Sequence, residues 1–154
     1  MINRVLFLDI DGPIIPFGMF LVDRMASANR IIPQIPVAVV REACARAKMK
    51  VVFNSTHNTP FVGVPDIDDA MIAAGLPRDA IHPDKMTRYP SLSRADAVRD
   101  WLRRHPEVNE WVAFDDARFT DDDNLIWVDP DAGLHLAHLN IVLERFNSPQ
   151  FLVL

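Results

Sequence analysis

Short blocks of unbroken apolar residues, each running into acids or hydroxyls, mark this 154-residue chain. "VLFLD" (5–9) runs straight into Asp9, "KVVFN" (50–54) into Ser55 and Thr56, and "EWVAFDD" (110–116) into Asp115 and Asp116. "NLIWVD" (124–129) is a fourth run. Unbroken runs of this length predict parallel strands covered on both faces, where in–out alternation is lost. Between them lie segments with apolar residues at helical spacing. "VAVVREACARAK" (37–48) carries Val39, Val40, Ala43 and Ala47 on one face. "IDDAMIAAG" (67–75) starts after Asp66, a candidate cap, and closes at Gly75. Ser93 and Asp96 have capping-box form ahead of "RADAVRDWLRRH" (94–105), which turns Ala97, Val98, Trp101 and Leu102 inward. "LHLAHLNIVLERF" (134–146) is the last helix. Two stretches resist assignment: residues 12–36, broken by Pro13, Pro16, Gly18 and Pro33, and the irregular "AIHPDKMTRYPSL" (80–92). The terminal "FLVL" (151–154) reads as an edge strand, an interface or a cover on the core.

Strands alternating with helices predict an α/β fold, a single three-layer Rossmann-like domain spanning residues 1–154 with a mainly parallel sheet. Ligands of such sheets bind at the carboxyl ends of the strands. Asp9 and Asp11, Ser55 and Thr56, and Asp115 and Asp116 all fall there. Clustered carboxylates at one sheet edge call for a hard divalent cation, and Mg²⁺ suits oxygen ligands and phosphate substrates. The ammonium of Lys85 suits phosphoryl oxygens, and a carboxylate can attack phosphorus to form an aspartyl-phosphate. A second carboxylate can hold and release the proton. Phosphoryl transfer is therefore the chemistry that this inventory supports.

Charge narrows the partners. The formal net charge of −5 weighs against a broad basic nucleic-acid surface, although a local positive groove is compatible with it. With one cysteine, Cys44, no disulfide forms within the chain, and a reducing cytoplasm is the expected location. The N-terminal apolar run is too short and too quickly acidic for a leader or a membrane span. His135 and His138 lack nearby cysteine partners, so packing or solvent exposure is expected of them in place of zinc. His57 is expected to be a polar loop residue, and Trp101, Trp111 and Trp127 to be core residues. "TDDDN" (120–124) lacks the glycine and distal glutamate of a calcium loop and reads as a turn.

"FLDIDG", "VVFNST", Lys85 and "WVAFDD", in that order, resemble the four motifs of the haloacid dehalogenase (HAD) superfamily over residues 5–116. "VDPDAGL" before the last helix resembles small, nearly capless bacterial HAD-domain proteins. The resemblance implies a Mg²⁺-dependent phosphatase with Asp9 as nucleophile and metal ligand. Asp11 would be the acid and base, its backbone carbonyl binding the metal. Asp115 and Asp116 would complete the metal site. Ser55, or Thr56 beside it, would bind the phosphoryl oxygens, and Lys85, with Arg94 as the alternative, would supply the cation. Gly12 would let the chain leave the first strand sharply beside the substrate. Residues 12–36 fit only a flap and residues 57–84 only a short second insertion, a minimal cap.

An open site of this kind suits a large substrate or a partner subunit that closes it. A nucleotide or other small phosphomonoester is the first expected substrate, and a polynucleotide end the alternative, as in repair phosphatases. A non-catalytic HAD-like binding or signalling module is the third reading. A response-regulator receiver fits poorly, because its acidic pair comes first and its lysine last.

Overall fold

The computed structural model describes residues 3–152. Five parallel strands form one sheet in the order β3-β2-β1-β4-β5: β1 Arg4–Leu8, β2 Met49–Phe53, β3 Ile81–Met86, β4 Glu110–Asp115 and β5 Leu125–Trp127. Helices α2 (Gln34–Ala47) and α5 (Leu136–Arg145) pack together on one face, joined there by α3 (Ile67–Ala73). Helix α4 (Arg94–Arg104) covers the other, and a single helical turn, α1 (Met19–Val22), lies within the flap. The chain is thus a single Rossmann-like α/β domain, and none of its described helices is long and apolar enough to cross a membrane.

The central strand explains the sequence pattern. Leu6 and Leu8 of β1 point into the core shared with α2 and α5, whereas Val5 and Phe7 point into the core beneath α4. Both faces are therefore dry, and an unbroken apolar run is what such a strand needs. Phe7 anchors the α4 side, where Trp101 and Trp111 meet it edge-on at 5.5 Å between ring centres. Trp101 is fully buried, stacks on His105 at 3.9 Å and donates its indole N–H to the Asp84 carbonyl at 3.0 Å.

Three expectations need correction. The "irregular" stretch contains β3, an edge strand that escapes the apolar-run test because only one flank is paired, its register slips, and Pro83 interrupts it. Helix α2 begins three residues before Val37, with Pro36 tolerated in its first turn. Trp127 is not a core residue. It ends the opposite edge strand and is 39% exposed. Residues 153–154 of "FLVL" lie outside the described residues; Phe151 and Leu152 are exposed and irregular, tied to the Asn140 side chain.

His135 and His138 have a job neither expectation named. His135 is the N-cap of α5 and accepts the Ala137 N–H, while His138 is buried and its Nδ1 accepts the His135 N–H at 3.1 Å. Burial, reinforced by the charge of His135, pushes the His138 pKa down from 6.5 to about 4. The unfolded chain thus takes up this proton before the folded one. Its contribution is full at neutral pH and is lost as pH falls from 6.5 toward about 4. The thermal midpoint of the wild type should therefore drop more across that interval than that of His138→Gln, which keeps an acceptor but does not titrate. Equal losses in the two proteins would contradict this account.

Candidate active site

Register builds the site. Leu8 lies opposite Phe53 on β2 and Phe114 on β4, and Phe53 lies opposite Met86 on β3. One residue further on, Thr87, Asn54, Asp9 and Asp115 come side by side across the carboxyl edge of the sheet. The backbone bonds Thr87 N–H to Phe53, Asn54 N–H to Leu8 and Asp9 N–H to Phe114 continue the ladder there. Trp127 extends this row, paired with Asp115 on the outermost strand.

Asp9 and Asp115 are buried, and Asp116 is half-buried beside them. One carboxylate oxygen from each lies within 4.8 Å of the others. Burial drives the Asp9 carboxyl well above the usual range, and the neighbouring Asp115 adds to this against the opposing pull of Arg94. Burial likewise pushes Asp115 up to about 7, with Arg94 holding it down. Hard oxygen donors this close, destabilised as anions by one another, are what a divalent cation relieves; the donor set fits Mg²⁺. Orientation is fixed by backbone amides: Ile10 N–H donates to Asp9 Oδ1 at 2.8 Å, and Ala117 N–H to Asp115 Oδ1 at 2.9 Å.

The cation beside Asp9 is Arg94. Its Nη1 is 3.3 Å from Asp9 Oδ1 and 2.9 Å from Asp115 Oδ2, and also donates to the Asn54 carbonyl. Its Nη2 donates to the Tyr89 hydroxyl, whose ring lies 4.6 Å below the guanidinium. Arg94 is the first residue of α4, where the helix dipole disfavours a positive charge. The acidic pair overrides that preference. Ser93 meanwhile caps the helix by accepting the Asp96 N–H, as the sequence pattern predicts. Lys85 is turned elsewhere: its Nζ is 2.6 Å from Oδ2 of Asp68, on α3.

Ser55 is buried and Thr56, the next residue, is exposed. The Ser55 hydroxyl oxygen accepts the His57 N–H, which leaves its own proton to donate. Gly12 has φ +104°, and a side chain there would press to 3.2 Å from the Asp116 carboxylate. Glycine is thus required twice, by backbone conformation and by the acid packed against it.

The surroundings of Asp11 are the part that reasoning from sequence missed. His57 is buried, and its Nε2 is 3.2 Å from Asp11 Oδ1 and 3.1 Å from Ser27 Oγ. Arg30 Nε donates to His57 Nδ1 at 3.0 Å. An arginine can only donate, so Nδ1 is an acceptor and the ring proton sits on Nε2, aimed at Asp11. Burial raises the Asp11 pKa, but the hydrogen bonds from His57 and Ser27 outweigh it and hold the carboxyl below its usual value. Ser27 and Arg30 come from the flap and His57 from the second insertion, so no local motif announces the trio. Proline and glycine punctuation marked only that those segments were irregular.

A protein-family model for the HAD domain in Swiss Army Knife RNA repair proteins matches residues 5–139. This chain belongs to that HAD family. The match covers the sheet from the second residue of β1 onward and every residue named at the site, and it confirms the superfamily that the four motifs suggested. No curated protein and no solved structure matches the chain.

Arg30 also donates to the carbonyls of Pro65, His57 and Thr59, so it ties the flap to the second insertion as well as setting the His57 tautomer. Arg30→Met orphans buried acceptors and should lower stability by about 3 kcal/mol in urea unfolding. In the wild type, nitrogen NMR shifts of His57 should report a proton on Nε2. A proton on Nδ1 would overturn the arrangement.

Proposed function

We propose that this protein is a Mg²⁺-dependent phosphomonoesterase that works through an aspartyl-phosphate on Asp9 and acts on a phosphorylated nucleic-acid end. The observation that carries the reading is the buried Asp9 beside Asp115, Asp116 and the Arg94 guanidinium at the carboxyl edge of the sheet. Both of the Asp9 contacts described above, to Ile10 and Arg94, fall on Oδ1. The other oxygen, Oδ2, is then the one to attack phosphorus as the ester oxygen departs with a proton from Asp11, whose carboxyl, held low in the free protein, is raised by the negative charge of the phosphate when substrate binds beside it. Asp11, directed by His57, next takes a proton from the water that cleaves the acyl-phosphate, releasing inorganic phosphate and restoring Asp9.

Asp9, Asp115 and Asp116, together with the Asp11 carbonyl, are assigned to Mg²⁺, which when bound supplies charge to phosphoryl oxygens and relieves carboxylate repulsion. Ser55 is assigned to a phosphoryl oxygen, with Thr56 as its exposed neighbour. For the cation we favour Arg94, because it touches Asp9 while Lys85 is held by Asp68. The substrate class follows from the family. Its description as a domain of RNA repair proteins favours a polynucleotide end over the small phosphomonoester that composition and charge put first. The minimal cap accords with a large substrate.

Phosphate release from 3′- and 5′-phosphorylated oligonucleotides, nucleotides and an aryl phosphate tests the reading. Asp9→Asn should lower turnover by on the order of 10⁴-fold, as loss of a covalent nucleophile does, with the fold intact by circular dichroism. Retained turnover would sink the nucleophile assignment. Chelation should abolish activity and Mg²⁺ restore it; full activity without a divalent ion would refute the metal site. Arg94→Met should lower kcat/KM by on the order of 10²-fold, a typical loss for one charge-stabilising group. Lys85→Met should act mainly on stability. The reverse ranking would return the cationic role to Lys85.

A further inference from the structure

Trp127 is the one tryptophan among the exposed large apolar side chains of the described residues. It lies in an apolar run, yet it is 39% exposed at the end of the outermost strand. Partners in a parallel ladder project to the same face, so Trp127 stands beside Asp115 on the face that α4 covers over β1. Its indole N–H donates to the Asp116 carbonyl at 2.9 Å, which fixes the ring against the loop that carries the metal-site acids. The Arg118 guanidinium lies over the ring at 4.8 Å from its centre. The Arg118 side chain is itself 61% exposed, and its one ion pair among the described residues, to Asp122, is loose at 3.9 Å. An indole held in one orientation, with a guanidinium plane on its face, is a flat surface on which another planar ring can stack.

We infer that Trp127 and Arg118 form a stacking platform for the terminal nucleobase of a single-stranded phosphorylated nucleic acid. The inference rests on the phosphatase reading above and deepens it by naming how the substrate is held. Trp127 is two strands from Asp9 along the row, about 10 Å at the spacing of strands in a sheet. One sugar spans the gap between a phosphate at Asp9 and a base on the indole or on the guanidinium above it. Indole and guanidinium planes both accept any base, so the platform selects for a nucleotide without reading its sequence. The exposed acids Asp121, Asp122 and Asp123 follow directly and repel further phosphates. The chain's net charge of −5 has the same sense. Recognition is thus confined to the terminal nucleotide, and binding should depend only weakly on salt.

The test measures binding of a fluorescently labelled single-stranded RNA by anisotropy, in an Asp9→Asn background that prevents turnover. The RNA carries either a 3′- or a 5′-terminal phosphate, and each is compared with a version whose terminal nucleotide is abasic. Asp9→Asn should bind the intact end about tenfold more tightly than the abasic one, the usual scale of one stacked base. Adding Trp127→Ala should erase that preference by weakening the intact RNA alone, and Trp127→Phe, which keeps a ring, should recover most of it. A variant that retains the full preference, or a parent that shows none with either end, overturns the platform. Phosphate release by the wild type from the same RNAs reports separately on the phosphatase reading. Base-dependent binding without release would remove the phosphatase and leave the platform standing.

Discussion

Repulsion among three carboxylates at the end of a buried sheet is the constraint around which this protein is built. Unit charges a few ångströms apart in a poorly screened interior repel strongly, so Asp9, Asp115 and Asp116 can be held together only with compensation. Much of the local structure is that compensation. Arg94 sits at a helix start where its charge is otherwise unwelcome, and it touches two of the three acids. Tyr89 and the Asn54 carbonyl hold the guanidinium in place, and Thr87 Oγ1 holds the Asn54 side chain at 2.7 Å. A row of residues across four strands is thereby committed to one electrostatic problem. The commitment explains why the site lies at the converged carboxyl edge. Only there do loops supply amides and a helix supply a cation without breaking the ladder.

Much of the fold was legible for one reason. Strands dry on both faces must be apolar throughout, so β1, β2 and β4 announce themselves, and the acids that end them mark the functional edge. Edge strands obey no such rule. Strand β3 has one paired flank, half-buried side chains and a proline, and looks like a loop on paper. Trp127 fails in the opposite sense: its apolar neighbours Ile126 and Val128 are buried, and nothing in the run tells that the residue between them faces out. The choice between Lys85 and Arg94 was similarly open in one dimension. In three dimensions an acid on α3, Asp68, holds the lysine, and Arg94 is the cation that lies beside Asp9.

The flap alters what a missing cap means. Residues 12–33, ahead of α2, are no loose cover. Ile14 and Ile15 are fully buried, Leu134 N–H bonds the Pro13 carbonyl, and Phe17 N–H bonds that of Pro130. Gly133, at φ +73°, lets the β5–α5 loop close on this segment; a side chain there would lie 2.6 Å from Pro16. The beginning of the flap is thereby fastened to the floor of the domain.

That fastening bears on catalysis by this arrangement. Where a cap domain encloses the substrate, it can also dry the site and shape the field around the acid. Here the flap supplies Ser27 and Arg30, and the second insertion supplies His57, so the two short insertions meet behind Asp11. Arg30 makes His57 a donor, and His57 directs Asp11. The insertions thus do for one carboxylate what a cap does for a whole substrate. They order it in advance, through contacts made from behind.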